Sequence, residues 1–109
     1  MPRSKPSEMK VILVTAPPAE APKLARTLLK ERLIACANLL KGVQSLYWWQ
    51  GKMNDDAETL LILKTRSTKV RALLKRLKEL HSYDVPEFLA LPVTVANPEY
   101  VQWVKDETL

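Results

Sequence analysis

Two glycines, one cysteine and one histidine in 109 residues narrow the chemistry before any pattern is read. With only Gly42 and Gly51 available, there is no glycine-rich loop to cradle a phosphate. A lone Cys36 excludes an intrachain disulfide and a metal cage built from cysteines. A lone His81 cannot hold a soft metal by itself. No apolar stretch is long enough to span a bilayer, and none follows the early basic residues in the manner of a signal peptide. The expected setting is therefore cytoplasmic, with no membrane partner. Cys36 and His81 have no oxyanion element or glycine-rich turn to accompany them, so an enzyme is not expected.

Apolar residues make up 47% of the chain, enough for a real core, and the eight prolines fall mostly between periodic segments. A single domain over residues 9–109 is expected, preceded by a disordered tail at 1–8, which is polar and holds two prolines. The net charge is +5. Much of the excess lies in Arg66, Lys69, Arg71, Lys75, Arg76 and Lys78, with no acid among them. That stripe reads first as a solvated helix face, and second as an attractor for nucleic acid or an anionic metabolite.

Lys10–Thr15 is a short β-branched run, read as a buried strand. Ala21, Leu24, Ala25 and Leu28 recur at helical spacing, and the first helix is read over Pro18–Arg32. Ala35–Gln50 is a second strand, bent at Lys41-Gly42, where an isolated glycine marks a bulge. Beyond it Val43, Ser45, Tyr47 and Trp49 share one face, and Gln44, Leu46 and Trp48 the other. Both faces carry large apolar groups, and helices can cover only one of them in a chain this small. A polar turn is read at Gln50–Asp56 and a central third strand at Glu58–Thr65. A second helix, capped by Ser67 or Thr65, carries Val70, Leu73, Leu74, Leu77 and Leu80 to an end near His81. Phe88–Val95 reads as a fourth strand, with Pro92 placing it at an edge or a bulge. Asn97-Pro98-Glu99 opens a last short helix.

That order is the split βαβ arrangement of an α+β, ferredoxin-like sandwich, with a long hairpin and one extra C-terminal helix. Ferredoxin-like sheets also serve RNA recognition, which places two or three aromatics on central strands. Strands one and three carry none, so nucleic acid is not an expected partner.

Five blocks, in order, carry a family resemblance. They are Val14-Thr15-Ala16-Pro17; Glu31-Arg32-Leu33-Ile34-Ala35-Cys36-Ala37-Asn38; Tyr47-Trp48-Trp49-Gln50-Gly51-Lys52; Glu58 with Leu63-Lys64-Thr65; and His81-Ser82-Tyr83-Asp84-Val85-Pro86-Glu87. Over roughly Lys10 to Asp106 the chain resembles the CutA family, named for divalent-cation tolerance. The resemblance implies a ferredoxin-like protomer in a tight homotrimer, similar to the PII signalling proteins that bind metabolites between subunits. It also implies a link to copper or another divalent cation.

Two residues are candidate metal ligands. His81 offers an imidazole, and Cys36 a thiolate that three copies in a trimer would bring together. Against this stand a helix-end cap for His81 and a small buried apolar role for Cys36. Some family members are proposed to hold copper with a strand-one Cys and two adjacent His; the matching positions here are Val14 and Leu80, leaving His81. Trp49, Glu58, Lys64, Tyr83 and Glu87 match family positions that line the intersubunit cleft. They serve either as a small-ligand site or as an ion-pair network between subunits. Three function readings follow: a trimeric, non-enzymatic binder of divalent cations, a PII-like small-metabolite sensor, and a trimeric scaffold with an indirect metal role.

Overall fold

The structure, a computed structural model, describes residues 3–109. Strand β1 (Met9–Ala16) leads into helix α1 (Ala21–Lys30) and strand β2 (Cys36–Trp49). Strand β3 (Lys52–Arg66) follows, then helix α2 (Val70–Leu80), strand β4 (Leu89–Pro92) and helix α3 (Pro98–Glu107). The four strands form one antiparallel sheet in the order β2-β3-β1-β4, and β3 is central, as its run of apolar residues implies. Each half is a βαβ unit: α1 carries the chain from β1 to β2 across β3, and α2 carries it from β3 to β4 across β1.

Alternation along the strands sorts residues between two faces. Ile12, Val14 and Ala16 stand opposite Leu63, Leu61 and Thr59 and are buried with them under the helices. Ala21, Leu24, Ala25 and Leu28 of α1 and Leu73 and Leu77 of α2 fill the other side of that core. Val11, Leu13, Leu60 and Ile62 point to the second face. Helix α3 covers only one end of it, through Val101 and Val104 on Met9. Leu40, Leu89 and Leu91 remain exposed there.

Strands β2 and β3 are 14 and 15 residues long and stretch the molecule to 54 × 26 × 23 Å. The expected bulge is present: Leu40 pairs with Leu60 and Val43 with Glu58, so Lys41 and Gly42 together oppose Thr59. Gly42 adopts a left-handed φ of 76° there. Asn97 caps α3 as expected, its Oδ1 accepting from Glu99 N–H at 3.0 Å.

Several expectations are corrected. The polar turn is not seven residues but two: Gln50 and Gly51 both have positive φ, 51° and 76°, the geometry of the tight turn whose twist matches its strands. Residues 52–57 consequently belong to β3, because each finds a partner on β2. Helix α1 starts at Ala21 rather than Pro18. Neither Ser67 nor Thr65 caps α2, since their hydroxyls donate to the carbonyls of Ser7 and Leu33 instead. The fourth strand keeps four residues, ending at Pro92, which lacks the N–H to extend the ladder.

The expected disordered tail differs as well, although Met1 and Pro2 lie outside the described residues. Pro6–Glu8 forms a short 3-10 turn, and Ser4 donates to Gln102 at 2.5 Å. Glu8 pairs with Lys105 at 2.6 Å, which holds its carboxyl below the usual range. A polar segment is ordered here by partners about a hundred residues away in sequence.

A Cβ on Gly51 would meet nothing within 4 Å, so only the backbone opposes one. Gly51→Ala is expected to lower stability by about 1–2 kcal/mol in urea unfolding. Gly51→Asn should lower it by less, because asparagine tolerates the left-handed region.

Candidate functional site

The extra residue at Gly42 changes which side chains share a face. Before the bulge the even-numbered residues of β2 look toward the second face; after it Val43, Ser45, Tyr47 and Trp49 do, alongside Asn54, Asp56 and Glu58 of β3. The chain leaves α2 at His81, which is extended (φ −75°, ψ 140°), and Tyr83, Asp84, Val85 and Glu87 of the loop that follows face that ribbon across one cavity. Between loop and ribbon lies a cavity of about 610 Å³. Tyr47, Trp49, Glu58, Tyr83, Asp84 and Glu87 supply its aromatic and charged lining, and among the described residues no lysine or arginine lines it.

His81 builds this site without entering it. Its side chain is buried at the end of α2. Nε2 lies 2.8 Å from the Thr15 carbonyl, which can only accept, so Nε2 carries the proton. Nδ1 accepts from Tyr83 N–H at 3.1 Å. Both ring nitrogens are thereby occupied, and no lone pair is left for a metal. The ring also stacks at a tilt on Tyr83, centroids 4.7 Å apart. Tyr83, fixed in this way, donates its hydroxyl to Glu58 Oε2 at 2.9 Å.

Glu58 is only 6% exposed. Among the described residues no cation stands within ion-pair distance of it. Its one side-chain partner there is a neutral phenol. The surplus of negative charge marks its neighbours. Burial, and then the bond to Glu58, push the Tyr83 hydroxyl well above the ordinary tyrosine range. Tyr47 donates to Asp56, which raises it too. Burial and the charge of Glu58 raise the Glu87 carboxyl.

The structure thus gathers Trp49, Glu58, Tyr83 and Glu87 at one place, and adds Tyr47 and Asp84. Within one chain Lys64 does not join them. It sits six residues along β3 from Glu58, roughly 20 Å at 3.3 Å per residue, where its ammonium donates to Asn38 Oδ1. Cys36 is opposite Lys64, with Sγ 4.0 Å from Lys64 Nζ. His81 lies against Thr15, which pairs with Leu60, so about 13 Å of strand separates it from Cys36. No group of three or more His, Cys, Asp or Glu among the described residues could hold a metal ion. Tyr47 was within reach of sequence reasoning, since it shares the period-two face of Trp49. Asp84 had no such signal, because a loop residue's direction depends on how His81 is tied down.

Residues 10–107 match the family model for the CutA1 divalent ion tolerance protein. Among curated relatives, a chloroplastic CutA 1 protein of Oryza sativa subsp. japonica is 48% identical over 90% of this chain and 56% of its own length. The divalent-cation tolerance protein CutA of Pyrococcus horikoshii is 46% identical over 92% of this chain and 98% of its own. The chain spans about half the length of the plant relatives it matches. Of solved structures, CutA1 from Oryza sativa superposes with a TM-score of 0.90, at 43% identity over 94% of each chain. A PII-like protein CutA from Nostoc sp. PCC 7120 superposes with a TM-score of 0.89, at 36% identity over 92% of this chain and 97% of that one.

Glu87 holds its proton to higher pH folded than unfolded, so its ionisation opposes folding. That penalty is absent below the ordinary value of 4.5 and complete above the raised one. Glu87→Gln should therefore raise the melting temperature at neutral pH. The gain over the parent chain should shrink to nothing as pH falls below 4.5, as followed by circular dichroism.

Proposed function

The chain belongs to the CutA1 divalent ion tolerance family, and on that premise we propose that it is a homotrimer that binds a small ligand without converting it. The cleft between the β2–β3 ribbon and the loop after His81 is the ligand site, placed where chains meet. Divalent-cation tolerance then follows from what the cleft senses, in the manner of a PII-like sensor, and not from a copper centre in the chain.

One observation carries the assembly. The ribbon exposes Leu46, Trp48 and Met53 at 65%, 72% and 71%; Trp48 stands opposite Met53, and Leu46, two residues along, also reaches the rim of the cleft. Monomeric proteins rarely expose such patches, and aromatic anchors of this kind are typical centres of protein interfaces. The unshielded second face of the sheet, with Leu40, Leu89 and Leu91, adds to it. The likeness to the Nostoc PII-like protein supports the sensor reading.

A copper site on His81 and Cys36 has no comparable support, since the two stand apart and the imidazole nitrogens are both engaged.

Light scattering should give about 37 kDa, three times the 12.4 kDa chain. Replacing Trp48 with Ala and Leu46 with Ser should shift that mass downward at low micromolar concentration. Calorimetric titration with Cu(II) and Cu(I) should give the same heats for the parent chain and for His81→Ala. A saturable signal lost in His81→Ala would restore direct metal binding.

A further inference from the structure

Glu58 is the least ordinary residue of the cleft. A carboxylate buried to this degree is normally paired with a cation, yet among the described residues no lysine or arginine lines the cleft, and its other charged groups are Asp84 and Glu87. In a chain carrying five surplus positive charges, every charged residue lining this cleft among the described residues is an acid, and Thr15, Gln44, Ser45, Leu46 and Val85 complete the lining beside the aromatic rings. The rest of the surface shows how readily this chain pairs its acids: Glu8 with Lys105, Glu31 with Arg76 and Glu107 with Arg32, all at 2.6–2.9 Å.

We infer that the cleft takes a small organic cation, a protonated amine, amidine or guanidine carried on an apolar body. This rests on the reading of the cleft as a ligand site. Three features select that class. The carboxylate of Glu58, with Oε2 already accepting from Tyr83, supplies the charge at the inner end. The rings of Tyr47, Trp49 and Tyr83 offer π faces, which attract a cation most strongly when it is desolvated. The volume of about 610 Å³ is that of a site for an organic molecule. A bare metal ion is a poor fit, because no group of three candidate ligands converges on one point among the described residues. An anion would face Glu58, Asp84 and Glu87 together.

The probes are benzamidine, a planar amidinium on a phenyl ring, and benzoate, the same ring with the opposite charge. Calorimetry and tryptophan fluorescence on the full chain should show saturable binding of benzamidine and none of benzoate. Glu58→Gln, which keeps the shape and removes the charge, should weaken benzamidine by about tenfold or more. Glu87→Gln serves as a second variant should Glu58→Gln not fold, and should weaken it by severalfold. Equal binding of benzoate, or unchanged benzamidine affinity in the charge variants, overturns the inference. So does a trimer that binds neither probe and loosens on Glu58→Gln, for then a basic side chain of a neighbouring copy is the missing cation. Light scattering on the same samples separates the two claims: benzamidine binding by a chain that is not a trimer removes the assembly and leaves this inference standing, since every residue it uses is on one chain.

Discussion

The β2–β3 ladder sets the terms for the rest of the molecule. Its strands are 14 and 15 residues long, whereas β1, packed under the helices, has eight. The surplus length lies beyond the reach of α1 and α2, so both of its faces must be stabilised without the core. Backbone pairing from Trp49↔Lys52 to Cys36↔Lys64 holds the ribbon together, and the two-residue turn at Gln50-Gly51 fixes its register. An isolated hairpin of this kind is marginal in water. That makes the ribbon's exposed apolar side and its cleft-facing side two consequences of one constraint.

The bulge at Lys41-Gly42 links the ribbon to the site. By opposing two residues to Thr59, it moves Tyr47 and Trp49 onto the face of Glu58. Without the added residue, the second-face positions would pass to Gln44, Leu46 and Trp48, and the aromatic wall of the cleft would be rebuilt from other side chains. A backbone irregularity made permissible by one glycine thus determines the chemistry of a cavity several residues away.

Much of this was legible beforehand. The helical spacing of Leu24, Ala25 and Leu28, the β-branched run of β1, the bulge at Gly42 and the Asn97 cap each rest on local chemistry, and local chemistry decided them. What escaped has a common cause. The turn at Gln50-Gly51 looked longer because Asn54, Asp55 and Asp56 are poor strand formers, and cross-strand bonds such as Tyr47 to Asp56 and Gln44 to Asp55 overrode that preference. Residues 3–8 looked unstructured because their partners, Gln102 and Lys105, are remote in sequence. Resemblance groups Lys64 with Glu58 in a cleft between subunits, and within one chain the register sets the two six residues apart along β3.

His81 illustrates how a residue's type can mislead about its work. An only histidine invites a metal, yet burial at a helix end gives its two nitrogens different tasks: one donates to the Thr15 carbonyl and the other accepts from Tyr83 N–H. Those bonds fix the direction of the loop, the loop fixes Tyr83, and Tyr83 satisfies one oxygen of a buried Glu58. A ligand-binding imidazole would have to surrender one of those bonds, and with it the wall of the cleft. Metal coordination at His81 and an ordered cleft around Glu58 are therefore competing uses of the same side chain, and the hydrogen bonds favour the cleft.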